Sequence, residues 1–474
     1  MKELSLLLET RQVSAAEVTE RAIARIETHD GRLNAVVVRD FARARAAAAA
    51  ADAALARGER APLLGVPMTV KESNDVAGLP TTWGIPGTET IPVTRDAVAV
   101  ARLKAAGAIV LGKTNVSLHL ADWQSYNAIY GTTNNPFDLG RTPGGSSGGA
   151  AAALAAGYVP LELGSDIGGS LRVPASFCGV FAHKPTFGIV PMRGMAPPGT
   201  PQRGVDLAVA GPMARSAADL AVALDVVAGP DDPEAVALRL ALPPPRHSRL
   251  QDFRVLVVTE HPLVPTGAAV RAALEGIAGR LSAAGARVER TTPLLPDLAD
   301  IGRVYTKLLM AVFGADLADD VYARRQAAAA RIALKHDSLA DVRLAGVVIS
   351  HRDWISTDRI RAGIADRWRR MFCDFDVLLC PVMPTPAFRH DHSELTARRI
   401  AIDGDEIPYV DQTMWPSLAT LTGLPATAMP IGRSGDGLPI GMQIIGPAFE
   451  DRTTLAFADL AEREFGGFVA PPGF

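Results

Sequence analysis

At 474 residues, with 48% hydrophobic and 21% charged side chains, the chain is long enough to bury a large core and has the balance of a water-soluble globular protein. A net charge of −3, with the basic residues dispersed, gives no footing for nucleic acid or an anionic membrane as partner. No apolar run approaches the roughly 18 residues of a membrane span. Cys178, Cys373 and Cys380 contain no C-x-x-C pair, so neither a disulfide framework nor a zinc ribbon is expected.

The opening stretch "MKELSLLLETRQVS" lacks the apolar core and cleavage site of a secretory signal, and a cytoplasmic, reduced protein is the expectation. Ser14 and Glu17 form a capping-box pattern ahead of an apolar repeat, which marks an early helix. "FARARAAAAAADAALARG" reads as a second helix that stops at Gly58. "LLGVPMTVKES" follows as a short buried strand with Lys71 at its end. Asp96 is expected to cap "AVAVARLKAAG", with "AIVLG" as the next strand. "FRVLVV" from Phe253, a helical stretch after Thr266 and "FDVLLCPV" from Phe375 repeat the alternation, which predicts an α/β architecture around a mainly buried sheet. The proline-rich run from Gly229 to Gln251 reads as a surface crossing within one domain.

"GAIVLGKT", Gly107 to Thr114, matches the phosphate-loop pattern G-x-x-x-x-G-K-[ST]. That pattern works only when the intervening residues form a loop. Here they are Ala108, Ile109, Val110 and Leu111, which read as strand, and strand N–H groups belong to the sheet ladder. His390 and His392 in "RHDH" lack a third ligand at characteristic spacing and read as an exposed polar loop. "GRSGDGLPIG" reads as a tight turn between strands. Trp354 reads as core, whereas for Trp415 core and pocket lining both stand.

Two glycine runs hold serines: "GGSSGG" at Gly144 to Gly149 and "GSDIGGS" at Gly164 to Ser170. A nucleophilic serine needs a base and a set of donors for the oxyanion. The N–H groups of Ile167, Gly168, Gly169 and Ser170 are candidates for those donors, since glycine permits a tight bend. For the base, His183 is the nearest histidine in sequence but has no evident acidic orienter. Lys71, held neutral by burial at the end of an apolar strand, is the alternative.

Lys71, "RTPGGSSGG" and "LGSDIGGSLRVPASFCGVFAHKPTFG" together strongly resemble the amidase signature family. The spacing agrees: 75 residues from Lys71 to Ser146 and 24 from Ser146 to Ser170. "GKTN" at Gly112, "NNP" at Asn134 and the C-terminal "TGLPATAMPIG" and "GLPIGMQIIG" extend the likeness over essentially the whole chain. The resemblance implies one domain spanning 1–474, built on a twisted, mixed sheet of about eleven strands wrapped by helices. It implies Ser170 as nucleophile, Ser146 as bridging serine after a cis peptide at Gly145, and Lys71 as base. It also implies Ser147 as a supporting serine and Asp166 and Arg172 as braces of the loop. The activity implied is hydrolysis of a small-molecule amide, with no metal and no cofactor, and with a homodimer as an open possibility.

Two other readings stand beside this one. The glutamine-hydrolysing component of a tRNA-dependent amidotransferase looks similar, but it carries a glutamine-reading aspartate about ten residues before the glycine of "GLP"; Thr413 lies there in this chain. A nucleotide-binding protein using "GAIVLGKT" is the other. The segments "WQSYNAIYG", "FGIVPMRGMAPPG" and "YVDQTMWPSL" are rich in aromatics, methionine and proline. Tyr130, Met192 and Trp415 are therefore the candidate pocket residues, and an apolar acyl or aryl group the expected ligand, each buried methylene contributing about 0.8 kcal/mol.

Overall fold

The computed structural model describes residues 1–201, 204–332 and 338–474. In chain order its strands are β1 (Val36–Arg39), β2 (Pro67–Lys71), β3 (Ile109–Thr114), β4 (Tyr126–Asn127), β5 (Gly131–Thr132), β6 (Leu161–Asp166), β7 (Phe181–Lys184), β8 (Val209–Ala214), β9 (Arg254–Val257), β10 (Arg287–Glu289), β11 (Val377–Pro381), β12 (Arg399–Ile402), β13 (Asp405–Pro408), β14 (Ala426–Arg433) and β15 (Pro439–Ile445). Eleven of them form one sheet in the order β1-β3-β2-β6-β8-β7-β14-β15-β11-β9-β10, with β4–β5 and β12–β13 as separate pairs. The sheet is mixed: β2 runs parallel to β3 and β6, and β9 parallel to β10 and β11, while the pairs between these groups are antiparallel. The chain is thus a large α/β domain with an eleven-stranded mixed sheet wrapped by helices.

β2, β3, β6 and β8 are buried at every position, as expected of strands covered on both faces. The early helices are α1 (Lys2–Glu9), α2 (Ala15–Leu33), α3 (Phe41–Ala56), α4 (Val98–Ala105), α5 (Gly148–Ala155) and α6 (Arg172–Cys178). The predicted capping box opens α2: the Ser14 hydroxyl accepts from Glu17 N–H, and the Glu17 carboxylate accepts from Ser14 N–H. α3 packs against α2 and β3, and its alanines Ala44, Ala48 and Ala51 are buried.

Asp96 does not cap α4. Ala97 occupies the N-cap, and the Asp96 carboxylate instead accepts from Ala77 N–H at 2.8 Å and from Lys104 at 2.7 Å. "GAIVLGKT" enters β3, and the Lys113 ammonium is fully buried, donating to Pro80 O and Thr81 Oγ1 with Glu72 at 3.8 Å. Its backbone is in register with β1 and β2, so the phosphate-loop reading is excluded. The glycine-rich run near Gly432 turns β14 into β15 as expected, with Gly437 at φ +79°. No described helix is long and apolar enough to cross a membrane.

Candidate active site

Lys71 ends β2 beside β6, whose last residue, Asp166, begins the loop to Ser170. α5 lies over β2, β3 and β6 and places Ser146 and Ser147 at its N-terminal end. Lys71 Nζ donates to Ser146 Oγ at 2.7 Å and to Ser165 Oγ at 2.9 Å. Burial pushes the Lys71 ammonium down to about 7, against the pull of the Asp166 and Glu162 charges. The peptide bond between Gly145 and Ser146 is cis. A side chain at Gly145 would stand 2.4 Å from Asp122 O, so the backbone there runs closer to its neighbour than any other residue permits. The supporting serine, Ser147, accepts Ser165 N–H and donates to Ser165 O, and its own N–H reaches Ser170 O at 3.3 Å.

Three consecutive peptides of the 167–170 loop are pinned by named groups. Tyr305 Oη donates to Ile167 O at 2.7 Å, Trp123 Nε1 to Gly168 O at 2.9 Å, and Val173 N–H to Gly169 O at 2.7 Å. In a trans peptide the N–H points opposite the C=O. Tyr305 therefore turns Gly168 N–H away from itself, and Val173 does the same for Ser170 N–H. The N–H groups of Ile167, Gly168 and Ser170 make no hydrogen bond among the described residues. Gly169 is different. Its N–H donates to Asp166 Oδ1 at 2.8 Å, so it is not a free donor as the sequence led us to expect. Gly169 has φ +95°, and a Cβ there would meet Pro416 and Val173 at 2.9 Å.

Asp166 and Arg172 form the predicted brace, and both are wholly buried. Asp166 accepts from Gly169 N–H, Leu171 N–H and the Arg172 guanidinium; Arg172 donates on to Pro416 O, Thr420 Oγ1 and Gln443 Oε1. Burial raises the Asp166 carboxyl, but the Arg172 charge more than offsets this and holds it at about 2. Replacing Arg172 by Met would strand that carboxylate in the interior, and we expect a loss of about 3–5 kcal/mol of unfolding free energy, read by urea denaturation.

The remaining sequence candidates scatter. Trp415 is fully buried, edge-on to His261 at 5.4 Å, within a core shared with Tyr305 and Trp368; it is a packing residue, not a pocket wall. Half-buried Tyr130 is tied through its carbonyl to Asn34, and half-buried Met192 lies beside Gly204. His183 is buried and bound to Thr427 and to Asp451, so it does have an acidic partner that the sequence did not reveal, but it is Lys71 that is hydrogen-bonded to Ser146. His390 bonds Asn134 and His392 stacks on Tyr126. Ser165 and Tyr305 were missed in the sequence, and Trp123 was reached only as the first residue of the pocket segment "WQSYNAIYG". Ser165 sits inside the quoted glycine motif beside Asp166, whereas Tyr305 lies in helix Leu298–Gly314 with no motif to mark it.

The sheet, the buried lysine–serine pair and the loop of free N–H groups define an amide hydrolase, an enzyme cleaving carbon–nitrogen bonds. The amidase family model matches residues 17–455, and the chain belongs to that family. It is 36% identical over 458 residues to AtzE, a 1-carboxybiuret hydrolase component of Pseudomonas sp. (strain ADP), covering 94% of each chain. It is 34% identical over 481 residues to the A component of the glutamyl-tRNA(Gln) amidotransferase of Roseiflexus castenholzii, covering 96% of this chain and 94% of that one. The crystal structure of a bacterial aryl acylamidase of the amidase signature family superposes with a TM-score of 0.81 at 27% identity, covering 98% of this chain and 96% of that one.

Proposed function

We propose that the protein hydrolyses a small, apolar or aryl amide through an acyl-enzyme on Ser170. The observation that carries this reading is the buried Lys71 ammonium, pushed down to about 7 and 2.7 Å from Ser146 Oγ. Neutral Lys71 takes a proton from Ser146 while Ser146 takes one from Ser170, and Ser170 Oγ forms a bond to the substrate carbonyl carbon. Negative charge on the carbonyl oxygen is met by the N–H groups of Gly168 and Ser170, with Ile167 alongside. Ser146 then returns a proton to the departing nitrogen as the carbon–nitrogen bond breaks. Water releases the acid. Ser170 Oγ makes no hydrogen bond among the described residues, and in the proposed step its proton passes to Ser146 Oγ. Cytoplasmic residence and a homodimer belong to the same proposal.

An apolar ligand is supported by what surrounds the loop. Trp123, held by Gly168 O, packs against Tyr409 at 5.3 Å. The charges nearby are already matched: Asp122 is bound by Arg398 and Tyr409, and Asp411 by Arg343. A zwitterionic amino acid would find no unpaired partner among them, and burying its charges unpaired is unfavourable.

The likeness to the tRNA-dependent amidotransferases favours a second reading, glutamine hydrolysis within such a complex, against which Thr413 stands. A panel of 4-nitroacetanilide, a 4-nitrophenyl carbamate, a fatty amide and glutamine decides between them. We expect the aryl substrates to give the higher kcat/KM; preference for glutamine would reverse the assignment.

A further inference from the structure

The strand register places a second titratable side chain on the face that carries Lys71. β2 pairs with β6 at Thr69 and Glu162, and with β3 at Lys71 and Thr114. Thr69 and Lys71, two apart on one strand, share a face. Thr114 Oγ1 crosses this row and donates to Glu162 Oε1 at 2.8 Å, and the Glu162 charge is felt by the lysine. Glu162 is buried, and its Oε2 makes no close hydrogen bond among the described residues, although the Thr69 hydroxyl and the Leu163 N–H also favour its ionised form. A buried carboxyl left half-satisfied is costly and calls for an explanation.

The charges around Lys71 are few. α5, packed over these strands, is glycine, alanine and leucine and brings none. β3 brings Lys113, which is engaged with Glu72, Pro80 and Thr81. β6 brings Asp166, which is bound by Arg172. Asp166 exerts the larger pull on Lys71 but shares its charge with Arg172; Glu162 is the second carboxyl that pulls on the lysine, with no cation bound to it among the described residues.

We propose that Glu162 is a positioning residue for the base: its carboxylate is the counter-charge of the lysinium that forms when Lys71 takes the serine proton. This rests on the reading of Lys71 as base. In a dry slot a lysinium gains from a nearby carboxylate what it has lost in hydration. Burial disfavours both charges, raising the Glu162 carboxyl and lowering the Lys71 ammonium, and each charge draws the other back toward its ionised form. The two groups titrate as a coupled pair near neutrality. Loss of the carboxylate makes Lys71 a weaker base that is neutral to lower pH.

Glu162→Gln keeps the side-chain shape and the Thr114 contact while removing the charge. For anilide hydrolysis, we expect the acid limb of the kcat/KM profile to move down by about one pH unit. We also expect the plateau to fall about tenfold, with KM unchanged. A purely structural role would lower active enzyme without moving the limb. Thr114→Val, which withdraws the hydrogen bond that favours ionised Glu162, should move the limb the same way and serves if the glutamine variant does not fold. An acid limb at the wild-type position in the folded variant, with Lys71→Met inactive, would overturn the proposal. Near wild-type anilide turnover by Lys71→Met would instead overturn the reading of Lys71 as base.

Discussion

Ser170→Ala is expected to abolish amide turnover, on the order of a 10⁵-fold loss in kcat, while the thermal midpoint stays close to that of the wild type. Both halves follow from the geometry. Ser170 Oγ makes no hydrogen bond among the described residues, so removing it leaves no buried partner unsatisfied. Its N–H, the proposed oxyanion donor, is retained in alanine. Mass spectrometry after treatment with a fluorophosphonate should place the adduct on Ser170. An adduct on Ser146 alone would exchange the roles of the two serines.

The second large effect concerns Lys71. Lys71→Ala should cost about 10³-fold in kcat/KM toward anilides and less toward esters, whose leaving groups need no proton. Lys71→Met, which fills the slot, separates the loss of the base from the loss of packing. The pH dependence has a definite sign. As the proposed base, Lys71 acts only when neutral, and burial brings its titration down to about 7. Activity is therefore low in acid, rises through about pH 7 and levels off above it. A wild-type profile flat from acid to neutral pH would show that another group takes the proton.

The site was legible where chemistry and backbone geometry coincide in a short stretch. "GSDIGGS" and "GGSSGG" placed Ser170, Ser146, Asp166 and Arg172 in roles that the structure brings into one neighbourhood, because glycines with restricted surroundings leave a mark in sequence. Strands buried on both faces were legible for a similar reason, since β11 is an apolar run throughout and β3 opens on one before Gly112 and Lys113. What sequence did not carry was direction. Gly169 looked like an oxyanion donor because it lies between donors, yet its N–H turns to Asp166. Trp415 looked equally suited to pocket and core, and only its packing on His261 and in the core with Tyr305 and Trp368 decided it. Asp96 stood where a cap belongs, but the chain turned into the helix one residue later. Tyr305 left no trace, because a tyrosine in an amphipathic helix is ordinary until its hydroxyl meets Ile167 O.

The clamps on the 167–170 loop come from far along the chain. Tyr305 is 138 residues downstream of Ile167, and the partners of Arg172 at Pro416, Thr420 and Gln443 are 244, 248 and 271 residues beyond it. During synthesis, the nucleophile emerges long before the groups that orient its loop, and such distant contacts form late. A nascent or C-terminally truncated chain would carry Ser170, Ser146 and Lys71 and still be inert. On the proposed mechanism, full activity therefore waits for β15, which brings Gln443 to Arg172 and so completes the brace behind a serine made long before it.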